Sequence, residues 1–534
     1  MTDQFSPEER AALAPYFTNL DGPVFALINL PEVVKGALFA RYSRSPKSLR
    51  RLFLDEFLVD VGRNATRGGV GGDASSPPTS NRAEELYGRM FFEYGDDSVA
   101  QLGGVHLACE GASNILTKVL EWGRLAAYLE QSTRYVPYDD LVQGRYRYHV
   151  PRELQGELRT RYVATLDAMF DTYRELLPVL RQHFAERFPQ DAQTPDGAYR
   201  LSIRAKALDT LRGLLPAATT SNVGIYGTGQ AYENLLLRMR AHPLEEVRAY
   251  AALMLEELRK VIPAFLRRVD LPDRGGAWSS YLEDARQSTA RVAAALLADE
   301  PLVARDEVTL TDFDPDGEAK VVAAALYAVS DLPDDRLFDI AQKMTESERR
   351  SVLEAYVGRR ANRRHRPGRA FERTSYRFDV LADYGAFRDL QRHRLLTLEW
   401  QRLSPQHGFV MPEVIAEARV QERWERTLDA SAALHDAIAA AGLVEVAPYA
   451  VAMAYRIRFY MEMNAREAMH LIELRSAPQG HPAYRRISQT MHRLIAERAG
   501  HRALAAAMTF ADHSEVALER LEAERAAERR RGGR

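Results

Sequence analysis

The chain has 534 residues, more than one ordinary hydrophobic core organises, so two or more domains are expected. Lys and Arg number 72 against 74 Asp and Glu, a formal charge of −2 that gives nucleic acid no global attraction. The single cysteine, Cys109, rules out an intramolecular disulfide and a thiolate metal cluster and fits a reducing cytoplasm; no metal is expected.

The opening MTDQFSPEERAAL is polar and acidic, and no segment sustains about eighteen apolar residues, so neither secretion nor membrane spanning is expected. Residues Gly62 to Ser80 (GRNATRGGVGGDASSPPTS) lack a packing face, which predicts a mobile loop; they also lack the GK[ST] ending of a phosphate loop. GVHLACEG near Val105 reads as a strand, SNILTKVLEWGRL as a helix, and EQSTRY as the polar run where that helix ends. RYRYHV near Tyr146 reads as a second strand, and YVATLDAMFDTYRELLPVLRQHF from Tyr162 as an amphipathic helix. LPDRGGAW from Leu271 interrupts the helical pattern and predicts a linker. Beyond it, YRFDVLADY near Phe378 reads as a strand and GAFRDLQRHRLLTLEWQRL as a helix. From about Glu522 the chain ends in a charged tail expected to fray.

The halves echo each other. Each has a strand that runs into a helix with an arginine at a corresponding place, Arg124 and Arg394, and each has a later helix ending near an arginine, Arg240 and Arg475. An ancient duplication predicts a helix-rich α+β fold of two tandem homologous domains, 1–272 and 273–520, with 521–534 as the tail.

Three constellations carry candidate chemistry. Arg392-His393-Arg394 offers two permanent cations and one titratable ring, a set suited to an anion or a polarisable ring system. Alone, such a triplet reads as a solvated helix face. Asn464-Ala465-Arg466 opens a helix whose end, Arg475, lies on the same face about 16 Å along the axis, and Arg466 and His470 form an i,i+4 polar pair. Glu130-Gln131-Ser132-Thr133-Arg134-Tyr135 gathers hydroxyl, guanidinium and carboxylate groups that suit a phosphate monoester.

Together these segments resemble the flavin-dependent thymidylate synthases. That family carries Arg-His-Arg, seven residues, then Ser-x-Arg-Tyr, with a downstream Asn-Ala-Arg helix ending in a nucleotide-binding arginine. Arg392-His393-Arg394, Asn464-Ala465-Arg466 through Arg475, and Phe371-Glu372 match in the second half; Glu130 to Tyr135 and Arg212-Gly-Leu-Leu-Pro216 match in the first. The departures divide the signature: Arg402 stands where the second half should have serine, and Trp122-Gly123-Arg124 where the first should have the triplet. The family's homotetramers share sites between subunits, so the resemblance implies a fused pair that completes a site from both halves and a homodimer that mimics the tetramer.

The implied activity is reductive methylation of dUMP to dTMP, with methylenetetrahydrofolate giving the carbon, NADPH the electrons and FAD acting between them. The implied FAD contacts are Arg392, His393, Arg394, Asn464, Arg466 and His470. Ser132, Arg134, Arg212 and Arg475 would hold the nucleotide with Glu130 lining the site, and Arg392, Arg475 and Ser132 would act in catalysis. A relative that binds flavin and nucleotide without methylating, and a non-enzymatic scaffold using the basic segment at Asn362, are the competing readings.

Overall fold

A computed structural model describes residues 4–42, 45–58 and 101–532; the Gly-rich loop expected at 62–80 falls outside them. In chain order the principal elements are α1 (Pro7–Leu13), α2 (Glu32–Tyr42), β1 (Gly104–Ser113), α3 (Asn114–Leu120), β2 (Ala126–Glu130), α4 (Gly156–Arg187), α5 (Asp196–Leu211), β3 (Thr220–Thr228), α6 (Gly229–Arg240) and α7 (Glu245–Arg259). They continue with α8 (Ala277–Leu296), β4 (Val308–Phe313), α9 (Gly317–Tyr327), β5 (Ser375–Asp383), α10 (Tyr384–Leu390), β6 (Thr397–Trp400), α11 (Gln421–Ala440), β7 (Arg456–Asn464), α12 (Ala465–Arg475), α13 (Pro482–Glu497) and α14 (Leu521–Gly532). The fold is α+β, as expected. Among the described residues no helix is long and apolar enough to cross a membrane.

Contacts group the chain into two units, one of Met1–Glu110, Gly123–Glu130 and Asn222–Glu300, the other of Gly111–Trp122, Gln131–Ser221 and Pro301–Arg534. These units interleave along the chain and are a different partition from the sequence halves 1–272 and 273–520. In the first unit α6 and α7 bury Leu235, Leu236, Val247, Met254 and Leu258, each apolar side chain contributing about 1.5–3 kcal/mol. The expected linker at Leu271 is instead a helical turn, Pro272–Gly276, that feeds α8. Gly275 permits it, since a Cβ there would lie 2.0 Å from the Val269 carbonyl oxygen.

In the second unit β4, β5, β7 and β6 form an antiparallel sheet in that order. Alternation dictates its faces: Ile457, Phe459, Met461 and Met463 of β7 are buried beside Tyr376, Phe378 and Val380 of β5. On the opposite face the cross-strand pair Arg377 and Glu462 meets at 2.9 Å. RYRYHV near Tyr146 is not the expected strand; isolated bridges, Val142 to Arg145 and Tyr148 to Thr219, hold it as a loop. The tail expected to fray carries α14, from which Arg525 donates to Asp191 Oδ2 at 2.6 Å.

The tandem repeat is explicit in the backbone. Strand order β1-β3-β2 repeats as β5-β7-β6, and Glu130 stands opposite Val223 as Trp400 stands opposite Phe459. Equivalent segments, one from each half, also pair with each other inside the second unit around Pro216 and Ala452. Ala217 N–H donates to the Val451 carbonyl while Met453 N–H donates to Leu215, and Ala218 N–H donates to Tyr449 while Ala454 N–H donates to Gly213. Each bond is the repeat of its counterpart, so a local twofold axis runs through this bridge.

Candidate active site

Strand ends and helix caps place the signature residues. Asp383 ends β5 and caps α10, its Oδ1 accepting from the Ala386 N–H at 2.9 Å. The helix stops after seven residues, so Arg392, His393 and Arg394 form the turn between α10 and β6 and not a continuing helix face. The cause is tertiary: residues from Thr397 to Trp400 pair with β7, which pulls the chain out of the helix. Asn464 ends β7 and caps α12 through its bond to the Glu467 N–H, and Arg475 closes the same helix, which begins and ends where the sequence predicts.

His393 joins the two segments. Its Nε2 accepts from Arg475 Nε at 3.0 Å and its Nδ1 lies 3.1 Å from Glu467 Oε1. A guanidinium has no acceptor, so the ring proton sits on Nδ1 and is donated to the carboxylate. Burial, with Arg475 and Arg366 adding to it, holds the His393 pKa well below the usual value, so the ring is neutral. Burial raises the Glu467 carboxyl against the pull of His470 and the surrounding arginines. His470 is pushed down to about 4 by burial, which outweighs Glu467; its Nδ1 receives Arg366 at 2.9 Å. The expected Arg466–His470 pair does not form: Arg466 turns to the Pro367 carbonyl and Glu372. His393, Glu467 and His470 bring ligand atoms within 4.8 Å of one another, but arginine N–H groups take the lone pairs on His393 Nε2 and His470 Nδ1. The surroundings suit an anion or a polarised ring better than a cation.

The second constellation arrives from the first half of the sequence. Arg134 is buried and grips both oxygens of Asp209, at 2.7 and 2.6 Å, while its third amine donates to Tyr484 Oη at 2.9 Å. Arg212, also buried, donates to Asp389 Oδ2 at 3.0 Å, and Arg392 stands 3.9 Å from the other Asp389 oxygen. Arg475 lies over the Tyr484 ring at 5.4 Å. Thus Arg134, Arg212, Arg392 and Arg475 share Asp209, Asp389 and Tyr484. Burial opposes the charged form of Asp389, yet Arg212, Arg392, Arg475 and Arg134 hold its carboxyl far below the usual range. Nη2 of Arg212 is buried without a hydrogen-bond partner among the described residues.

Ser132 follows the end of β2, not the end of a helix, and its Oγ accepts from the Arg134 N–H at 3.2 Å. Glu130 is the last residue of β2 and buried, within the first unit. Arg394 is half-buried beside the Glu467 group. Sequence reasoning missed Asp209, Asp389, Glu467, Tyr484 and Arg366. Asp209 and Asp389 each stand three residues before a predicted arginine, a spacing that could have marked them. Asp209, Arg212 and His481 also wall a cavity of about 660 Å³ that includes Phe184 and Trp424, within the range of small-molecule sites.

The family model described as Thymidylate synthase complementing protein matches residues 60–264 and 309–499, one segment in each half. A UPF0159 protein of Chlamydia pneumoniae is 39% identical over 98% of this chain and 98% of its own length. A UPF0159 protein of Thermoplasma acidophilum is 31% identical over 92% of this chain and 97% of its own. A flavin-dependent thymidylate synthase of Mycobacterium marinum is 31% identical over 35% of this chain and 70% of its own length. With the signature segments gathered as described and both halves matched, the chain belongs to the thymidylate synthase complementing protein family, that of the flavin-dependent thymidylate synthases.

Proposed function

We propose that this chain catalyses the FAD-dependent reductive methylation of dUMP to dTMP, using methylenetetrahydrofolate and NADPH, in the cytoplasm and as a homodimer. The observation that carries the reading is the gathering of Arg134 and Arg212 from one half with Arg392 and Arg475 from the other around Asp209, Asp389 and Tyr484. Four guanidiniums against two carboxylates leave the cluster cationic, which fits a phosphate monoester held by Arg134 and Arg212 beside the flavin residue Arg392. Nη2 of Arg212 is a buried donor without a hydrogen-bond partner among the described residues.

Arg392, His393, Arg394, Asn464, Arg466 and His470 would hold the flavin; the neutral rings of His393 and His470 and the flanking arginines fit a planar, phosphate-bearing cofactor. When bound, FAD supplies the electron transfer between NADPH and the one-carbon unit. The chain's own residues position and polarise. Ser132 Oγ, Arg134 and Arg212 anchor the nucleotide phosphate. Arg475, whose Nε is fixed by the lone pair of His393, presents its remaining amines to the pyrimidine and stabilises negative charge that develops on the ring carbonyls. Glu467 keeps His393 in the tautomer that can accept from Arg475, so it orients the arginine through the ring. Cys109 is buried in β1 with its thiol raised to about 11 by burial, so no thiolate nucleophile is expected from it.

The test is the visible absorption spectrum of the purified protein, with and without dUMP. A flavin spectrum that shifts with dUMP supports the synthase and justifies turnover assays with all substrates; no flavin after incubation with excess FAD sinks the reading and favours the scaffold. Flavin and dUMP binding without turnover would identify the non-methylating relative. Ser132→Ala should weaken dUMP and keep flavin, Arg392→Ala the reverse; loss of the same single ligand in both variants would contradict the split site.

A further inference from the structure

We propose that Asp389 is a positioning residue that sets which phosphate ligand the arginine cluster accepts, favouring a single phosphate group over a chain of two or three; this rests on the anion-binding reading of the cluster. The two carboxylates in the cluster are not equivalent. Asp209 spends both oxygens on one partner, locking the fork of Arg134 at 2.7 and 2.6 Å. Asp389 is shared: one oxygen takes a single bond from Arg212 at 3.0 Å and the other stands 3.9 Å from Arg392. It is 8% exposed, so its charge is screened little by solvent.

Its placement at the end of α10, three residues before Arg392, fixes a negative charge between arginines that come from different parts of the sequence. Without a carboxylate at this position, four guanidiniums would face Asp209 alone, and the cluster would bind most tightly whichever anion carried the most charge. With it, each further negative charge on a ligand meets a buried carboxylate as well as the arginines. Asp389 therefore offsets part of the arginine charge, and removes the gain that the further negative charges of a longer chain would otherwise find. It also holds Arg212 in place through Nη1.

The experiment is isothermal titration of the full chain with inorganic phosphate, pyrophosphate and tripolyphosphate at one salt concentration. The wild type should bind phosphate at least as tightly as tripolyphosphate, the opposite of the order a bare basic patch gives. Asp389→Asn should tighten tripolyphosphate by about tenfold more than phosphate, while Asp389→Glu, which retains the charge, should preserve the wild-type order. A wild type that prefers tripolyphosphate overturns the proposal without any variant. An unchanged ratio in a folded Asp389→Asn protein overturns it while leaving the anion site standing. Failure of the wild type to bind any of the three ligands removes the anion site and this inference with it.

Discussion

The chain carries two corners related by its internal repeat, and they have diverged in opposite directions. In one, Arg392 follows α10, and Arg134, Arg212 and Arg475 gather around Asp209 and Asp389. In the other, Trp122 follows α3 where Arg392 follows α10, and Trp400 holds the register position of Glu130. Trp122 Nε1 donates to the Leu398 carbonyl at 3.1 Å, and the two indoles meet edge to face at 6.2 Å. Arg402 replaces Ser132 and pairs at the surface with Glu445; Pro448 replaces Arg212, and Met239 stands in the repeat where Arg475 does. The backbone plan is shared, whereas one corner retains convergent cations and the other fills the same place with aromatic surface. The lesson is that the repeat keeps its frame through strand register and hydrogen bonds, while side chains at the same register are free to differ.

The largest expected effect separates the ion pairs of the two corners. Arg134→Ala leaves Asp209 as a buried, unpaired charge and should cost about 3–5 kcal/mol in urea unfolding, whereas Arg402→Ala breaks a half-exposed pair and should cost about 0.5 kcal/mol or less. Equal losses would mean that the corners are not energetically distinct. Next, equilibrium titration with dUMP should saturate at one nucleotide per chain, and Arg475→Ala should weaken it by at least tenfold; two equivalents per chain would show that the aromatic corner still binds.

A smaller effect concerns acid. His470 is held neutral down to about pH 4 in the folded chain against an ordinary value of 6.5, so the unfolded chain takes up the proton first. This contribution to stability is complete above about pH 6.5 and declines as pH falls towards about 4. His470→Gln should therefore flatten the fall in melting temperature between pH 7 and 4.5, an acid limb to which the aromatic corner, with Gly123 and Asn234 at the places of His393 and His470, adds nothing comparable. An acid limb as steep in the variant as in the parent rules the ring out as its source. The smallest effect is expected for Cys109→Ala: a buried thiol raised to about 11 has no part in the proposed chemistry, and turnover should be unchanged. A folded but inactive variant would overturn the mechanism.

Much of this was legible from residue order. The strands at Val105 and Phe378, the Asn464 cap and the helix ending at Arg475 all follow from local pattern, because apolar alternation and a side-chain cap act within a few residues. Strands β3 and β7 were not foreseen. TSNVGIYGT is rich in glycine and polar residues, and RIRFYMEMN alternates charge with apolar residues directly before a strong helix; both become strands only because partners flank them. The triplet Arg392-His393-Arg394 was found by its residues but misplaced on a helix, since what ends α10 is pairing of β6 with β7 more than sixty residues on.

The sequence by itself determined the family, the tandem repeat and the division of the signature, since residue types at fixed spacing record common descent without reference to contacts. Only the tertiary structure decided that Asp209 and Asp389 organise the arginines, that His393 is neutral with its proton on Nδ1, and that Trp122 meets Trp400. Those are matters of burial and of partners distant in sequence. A charge or a proton takes its energy from what surrounds it in space, and residue order does not record that.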